Sequence, residues 1–167
     1  TGGLFTSTLL AIDSWTKSPN AEAEEILRAN VSLLPAPVSN VEQGGAITTL
    51  EVNPDGLTFA SGSNDGQLCL NRFEDGEVIF CATNPGSVVD AAYHPDGSVL
   101  AVSDDTGLVQ ILDSTSGEVL NAIKYGVPIL DVNISPDGKF LVIARNDGRV
   151  TFIDMVIGVN FFLRDFR

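Results

Sequence analysis

The chain has 167 residues, of which 22 are acidic and 9 are basic, so its formal net charge is −13 at pH 7. This balance argues against a nucleic acid or an anionic membrane surface as the partner, because both are bound mainly through lysine and arginine. Apolar residues make up 44% of the chain and glycine occurs 16 times, which is the composition of a folded chain with many turns rather than of a disordered one.

Residues 1–36 are predicted to form a short helical hairpin. A first apolar stripe at helical spacing consists of Phe5, Leu9 and Ile12. A second stripe, at i, i+3 and i+4 steps, consists of Ala23, Ile26, Leu27, Val31 and Leu34. Pro19 separates the stripes and Pro35 ends the second. The first residue is threonine rather than methionine, so we expect the chain to begin inside a longer protein.

From residue 45 onwards the sequence repeats with a period of 41 residues. Pro-Asp-Gly occurs at 54–56, 95–97 and 136–138, and a second turn signal occurs at 64–66, 105–107 and 146–148. The third marker is a glycine, found at Gly76, Gly117 and Gly158. Proline presets φ, aspartate accepts hydrogen bonds from nearby amides and glycine supplies positive φ, so each marker predicts a tight turn. The three repeats span about residues 45–85, 86–126 and 127–167.

Four apolar, β-branched runs lie between the turns of each repeat. The predicted strands are 46–52, 57–61, 67–73 and 77–83, then 87–93, 98–103, 108–113 and 118–124, then 128–134, 139–144, 149–154 and 159–163. The residues predicted to form two apolar faces are Leu70, Ile111 and Phe152 at one equivalent position and Ile79, Leu120 and Phe161 at another. Such units must stack to bury both faces, and four strands at a period of about 40–45 residues are typical of β-propeller blades.

We therefore predict a mainly β fold: a partial β-propeller of about three four-stranded antiparallel blades, with residues 1–36 as a helical linker and 37–167 as the repeat region. Residues 38–43 are predicted to be the outermost strand of a preceding blade. Three repeats cannot close a ring of the roughly 4–8 blades that is usual, so we expect open blade edges and self-association.

Cys69 and Cys81 are too few for a disulfide framework and lack the CxxC spacing of a zinc site. They are interpreted as small apolar residues in a reducing compartment. No signal peptide is visible, and no apolar run near the N-terminus approaches the roughly 20 residues of a membrane span. These features predict a cytoplasmic protein with no membrane partner.

The repeats resemble the WD-repeat family of β-propellers over about residues 37–163. The matching segments are Gly86-Ser87, His94-Pro95-Asp96-Gly97, Asp105-Thr106-Gly107, Leu112-Asp113, Ser135-Pro136-Asp137-Gly138, Asn146-Asp147-Gly148 and Ile153-Asp154. Leu112-Asp113 and Ile153-Asp154 stand where the family has Trp-Asp, and the first repeat departs with Asn71-Arg72. The resemblance implies a rigid platform that binds proteins through the loops at its blade ends.

The family's blades contain a hydrogen-bond network of Trp, Ser or Thr, His and Asp. Here the Trp sites hold Asn71, Leu112 and Ile153, and the Gly-His site holds no histidine. Only Asp65 and Asp147 occupy the turn-aspartate position. These blades are therefore predicted to be held by packing more than by that network.

The segments 9–14, 21–29 and 33–37 are similar to the helical linker of bacterial multidomain signalling proteins. In those proteins the linker joins an upstream part, often a STAND-class NTPase or a caspase-like or TIR-type effector, to a C-terminal WD-repeat sensor. The resemblance implies a scaffold or sensor module of a bacterial signalling protein. The chain has no GxxxxGK[ST] motif, so NTPase chemistry would lie outside it.

No catalytic, cofactor or metal site is predicted. His94 occupies the first position of a turn whose equivalents are Asn53 and Ser135, and no nucleophile has matching spacing. The acidic residues around Asp104 lack the spacing of a calcium loop. The alternative is an enzyme or ligand-binding propeller, because the turn patterns also resemble lactonase-like and surface-layer propellers, which would place a ligand or metal site at the central channel.

Acidic residues are concentrated in the predicted turns, where they could steer a basic protein surface. The residues assigned to structural turns are Asp55, Gly56, Asp65, Gly66, Asp96, Gly97, Gly107, Asp137, Gly138, Asp147 and Gly148. The candidate partner-binding residues are Asp104, Asp105, Phe162 and Phe166. The sequence thus predicts a non-enzymatic protein-interaction module.

Overall fold

The computed structural model describes residues 24–26 and 40–155. Residues 24–26 are helical, and the side chain of Ile26 is exposed. The contacts divide the chain into two units, Thr1–Val38 and Ser39–Arg167. The rest of the predicted hairpin, the predicted strand 159–163, and Phe161, Phe162 and Phe166 lie outside the described residues.

Three antiparallel sheets, here called blades 1, 2 and 3, follow one another in the second unit, one for each repeat. The first contains β1 (Ile47–Val52), β2 (Thr58–Ser63), β3 (Gln67–Arg72) and β4 (Val78–Thr83). The second contains β5 (Val88–Tyr93), β6 (Val99–Asp104), β7 (Leu108–Asp113) and β8 (Val119–Lys124). The third contains β9 (Ile129–Ile134), β10 (Phe140–Arg145) and β11 (Val150–Asp154). In each sheet consecutive strands pair, so the predicted mainly β meander is confirmed.

The strands end where the repeat markers predict turns. The glycines of all three marker classes within the described residues have positive φ: Gly56, Gly66, Gly76, Gly97, Gly107, Gly117, Gly138 and Gly148. Since L-residues with a side chain rarely adopt this conformation, glycine allows the chain to reverse direction at these positions.

Two apolar cores lie between successive sheets. The first joins blades 1 and 2 and includes Leu68, Val88 and Leu100, and the second joins blades 2 and 3 and includes Val109, Ile129 and Leu141. The first strands of the blades lie side by side, with β5 between β1 and β9. Blade stacking therefore provides the burial that one sheet lacks on its own.

The two predicted apolar positions differ in burial. Leu70 and Ile111 are buried, as predicted, whereas Phe152 is half exposed on the last described sheet. For Ile79 and Leu120 the prediction is wrong, because both are exposed. They lie on β4 and β8, the last strands of their sheets, which pack mainly on β3 and β7 of their own blades.

The predicted outermost strand 38–43 is also wrong over its described part, since residues 40–43 have no strand structure. Among the residues that the structure describes, no helix is long and apolar enough to cross a membrane.

The prediction of two free thiols is wrong, because Cys69 and Cys81 form a disulfide. The two residues are direct partners in the β3–β4 ladder, and their Cα atoms are 4.1 Å apart. Opposed residues of an antiparallel pair bring their side chains together on one face, so this register places the two sulfur atoms beside each other. The cysteines therefore give no support to a reducing compartment.

Candidate functional site

The turns of the three sheets lie at two ends of the strands. One end, here called the proline end, carries Pro54, Pro95 and Pro136 and consists of residues 53–57, 73–77, 94–98, 114–118 and 135–139. The other, here called the opposite end, includes residues 40–46 and consists otherwise of residues 64–66, 84–87, 105–107, 125–128 and 146–149.

Negative charge is unequally distributed between the two ends. The five turns of the proline end contain seven acidic residues and one lysine, a formal charge of −6 with His94 neutral. The opposite end, with residues 40–46 included, contains four acidic residues and one arginine, a formal charge of −3. The proline end is thus the acidic surface of the described blades.

Hydrogen bonds hold two carboxylates of the proline end in their charged form. Asp96 accepts from the hydroxyl and the backbone N–H of Ser98, at 2.6 and 2.9 Å, and these bonds lower its pKa to about 2. Asp137 accepts from the Ser135 hydroxyl at 2.6 Å and the Lys139 N–H at 3.2 Å, which lower its pKa to about 2. Both charges are therefore fixed in position at neutral pH.

A cavity of about 370 Å³ opens at the proline end between the turns of blades 1 and 2. Its polar lining includes Asn53, Asp55, Asp96, Ser98, Ser114 and Thr115. Leu70 and Ile79 contribute the apolar part. The cavity thus combines two carboxylates and several hydroxyls with an apolar wall.

In blades 1 and 2, the turn that contains the proline contacts the next blade through the residue before the proline. Asn53 Nδ2 donates to the carbonyl oxygen of Gly97 at 3.4 Å, and His94 Nε2 lies 3.2 Å from the carbonyl oxygen of Gly138. His94 Nδ1 lies 2.7 Å from Asp96 Oδ1, and the imidazole is buried. Both ring nitrogens therefore have partners in the turns, and His94 joins blades 2 and 3.

The candidate partner-binding residues Asp104 and Asp105 lie in different environments. Asp104 is fully buried, and its carboxylate accepts hydrogen bonds from the backbone N–H groups of Gly86, Thr106 and Leu108 and from the Thr106 hydroxyl. Its carboxylate therefore holds the turn together, and the residue has no exposed surface within the described blades. Asp105 is exposed at the opposite end.

The first strands of the blades place three polar residues at equivalent positions: Thr49, Asp90 and Asp131. The carboxylate of Asp90 accepts from the Thr49 hydroxyl and from the Val132 N–H, both at 3.1 Å, so it joins all three blades. A hydrogen bond to Asp90 raises the pKa of Asp131, and burial together with the charge of Asp90 raises the pKa of Glu51. Within residues 24–26 and 40–155, no group of three His, Cys, Asp or Glu side chains could hold a metal ion.

Blade 1 retains a polar chain that blades 2 and 3 lack. Asn71 Nδ2, at the Trp site, donates to Ser61 Oγ at 2.9 Å, and Gln43 Nε2 donates to the same oxygen at 2.7 Å. The equivalents of Ser61 and Asn71 are the buried apolar pairs Val102 with Leu112 and Ile143 with Ile153. Packing therefore replaces this hydrogen-bond chain in the second and third blades.

Two family models match the repeats. The WD domain, G-beta repeat model matches residues 37–70, and the anaphase-promoting complex subunit 4 WD40 domain model matches residues 67–134. Together the two models cover residues 37–134 and support a WD-repeat propeller. WD-repeat propellers generally mediate protein interactions and are typically non-catalytic scaffolds.

A solved structure with the same fold is the crystal structure of the β-propeller domain of Cps50 (Swd1) from Myceliophteria thermophila. The TM-score is 0.64 and the sequence identity is 18%, with 70% of this WD-repeat chain and 38% of that chain covered. This similarity shows the propeller fold. The match spans less than half the length of the Cps50 chain. No curated protein matches the sequence.

Proposed function

We propose that this WD-repeat region is a non-catalytic module that binds a basic protein surface at its proline end. The charge difference between the two ends, −6 against −3, supports this assignment. Complementary charge steers the encounter of two proteins and fixes their orientation, so a lysine- or arginine-rich partner would approach the proline end.

The turns suit such a role because their carboxylates are held in place before binding. Asp96 and Asp137 are fixed by hydrogen bonds to the residues beside them, and Asp55 accepts from the Leu57 N–H at 2.7 Å. A partner would therefore order few side chains when it binds, which lowers the entropic cost. The cavity beside Asp96 gives a long basic side chain room to enter.

We place this module in a larger bacterial signalling or scaffold protein, on the basis of the linker resemblance of residues 9–37. The coding sequence upstream of Thr1 tests this placement. An NTPase, caspase-like or TIR-type domain encoded there would support it, and an unrelated upstream domain would contradict it.

Self-association is a second part of the proposal. The first and last described blades leave large apolar side chains exposed, among them Leu50 and Phe152. Apolar surface of this kind is a common site of association between chains.

Binding to a fluorescent poly-L-lysine peptide tests the proline-end surface. The variant E74Q/E118Q removes two exposed charges from that end, and E42Q/D105N removes two exposed charges from the opposite end as the matched control. We expect several-fold weaker binding for the first variant, little change for the second, and weaker binding at high salt. Equal weakening by both variants, or equal binding of poly-L-glutamate, would contradict the proposal.

A further inference from the structure

Three apolar residues of β1 are exposed, although the residues at the equivalent positions of blades 2 and 3 are buried. Their equivalents are Val88, Ala91 and Tyr93 on β5, exposed by 0, 1 and 9%, and Ile129, Val132 and Ile134 on β9, exposed by 1, 1 and 7%. On β1 the residues are Ile47, Leu50 and Val52, which we call the receiving face, and they are exposed by 50, 58 and 49%. In blades 2 and 3 the preceding blade covers these positions.

The third blade shows the complementary difference on its other face. Val150 and Phe152 on β11, here called the donating face, are exposed by 58 and 51%. Their equivalents Leu68 and Leu70 in blade 1 are exposed by 1 and 3%, because blade 2 packs on them. Val109 and Ile111 in blade 2 are likewise buried, against blade 3.

The two uncovered faces are thus the two halves of one interface that occurs twice within the chain. We propose that a second copy of this chain docks head to tail, with its receiving face on the donating face of the first copy. This inference rests on the self-association proposed above and is independent of the basic partner. It concerns the faces of the end blades, whereas the sequence pointed to their edges.

In the two internal interfaces, the donating face is covered by the first strand of the next blade. That strand has apolar residues at the three receiving positions. Blade 1 of a second copy carries such a strand, with isoleucine, leucine and valine at those positions. The contact is heterologous, so it can close into a ring or continue as a chain.

The close approach at the centre of the interface identifies a pair of residues to cross-link. A Cβ atom on Gly62 of β2 would lie 3.1 Å from the Cβ of Val88 on β5. One step of the repeat takes these positions to Ser103 and Ile129, and a second step takes them to Ala144 of one copy and Ile47 of the second copy. Because disulfides join Cβ atoms about 3.5–4.5 Å apart, cysteines at these two positions are placed to bond.

Leu120 on β8 provides a matched control. It is exposed by 44%, similar to Phe152, but its equivalent Ile79 in blade 1 is exposed by 42% although blade 2 follows. Ile79 lines the cavity at the proline end, and Leu120 lies on blade 2, away from the receiving and donating faces of the end blades. A substitution there changes an equally exposed apolar side chain without touching either proposed face.

Sedimentation of the full chain over a range of concentrations gives the first readout. We expect a concentration-dependent association that F152D and L50D abolish and that L120D leaves unchanged. A chain that stays monomeric at all concentrations would overturn the proposal, as would association that is equally sensitive to L120D. If the chain is a monomer and F152D lowers the melting temperature as much as a core substitution does, another part of the same chain covers the donating face.

Cross-linking under mild oxidation gives the second readout. A mixture of I47C and A144C chains should form an intermolecular disulfide that reducing agent reverses, whereas a mixture of I47C and L120C chains should not. Association without the specific cross-link would overturn the head-to-tail arrangement. If the cross-link forms but E74Q/E118Q and E42Q/D105N weaken poly-L-lysine binding equally, only the proposed binding of a basic partner is contradicted.

Discussion

The side chain of Asn53 lies directly against Gly97, 44 residues later in the chain. Its Nδ2 donates to the glycine carbonyl oxygen at 3.4 Å, and a Cβ atom on Gly97 would approach its Oδ1 to 2.4 Å. His94 and Gly138 repeat this arrangement between blades 2 and 3. The turn glycine therefore has two roles, since it permits positive φ and leaves room for the residue of the preceding blade.

Gly97→Ala should separate these two roles when it is compared with Gly56→Ala. Both glycines have positive φ, at 77° and 70°, but nothing lies within 4 Å of a Cβ on Gly56. We expect Gly56→Ala to lower the free energy of unfolding by about 1–2 kcal/mol, and Gly97→Ala to lower it further through the clash with Asn53. Equal losses in urea unfolding would contradict the close packing of Asn53.

The stability of the protein should fall as the pH is lowered from about 4 to about 2. The pKa values of Asp96 and Asp137 are held at about 2, below the usual value of 3.8, so both carboxylates stabilise the fold above pH 4. Protonation in acid removes their hydrogen bonds to Ser98 and Ser135. The variant D96N/D137N should show a flatter decline in melting temperature over this range. An unchanged slope would contradict the assigned hydrogen bonds.

Cys69→Ala with Cys81→Ala should destabilise the first blade. The disulfide links residues 12 positions apart, and cross-links of this loop size stabilise proteins by roughly 2–4 kcal/mol. The measurement is urea unfolding of the variant and of the wild type with and without reducing agent, where the reduced wild type should match the variant. Alkylation of both cysteines in the unreduced protein, detected by mass spectrometry, would contradict the disulfide.

The double variant S61V/N71L should be at least as stable as the wild type. It places in blade 1 the residues that occupy the equivalent positions in blade 2, Val102 and Leu112, both fully buried. It also removes Asn71 Oδ1, which is buried without a hydrogen-bond partner. We expect a gain of about 1 kcal/mol, whereas S61V alone should be destabilising because the Asn71 amide loses one of its two acceptors and keeps only the Cys69 carbonyl oxygen. A double variant less stable than S61V would contradict this account.

The repeat arithmetic predicted most of the strands and turns. Each of the three turn markers contains a glycine, which in two of them follows Pro, Asn or Asp, and the preferences of these residues act through the local backbone without help from distant residues. For this reason the strand limits agree with the structure to within one or two residues from β1 to β11. The WD-repeat assignment follows from the same local pattern.

The candidate site was predicted less completely. The acidic turns were apparent, but the concentration of charge at one end depends on the alternating direction of the strands. Asp104 and Asp105 are adjacent in sequence, yet the strand end buries the first and exposes the second. Cys69 and Cys81 lack any spacing signal for a disulfide, because only the β3–β4 register makes them partners.

The sequence by itself determined the period, the turns and the apolar character of each strand, since these depend on neighbours along the chain. Only the tertiary structure decided which apolar residues are buried. Leu50 and Val132 are equivalent in the repeat, but one is exposed and the other is buried. The difference arises because burial requires a neighbouring blade, and a residue's own segment does not specify what packs against it.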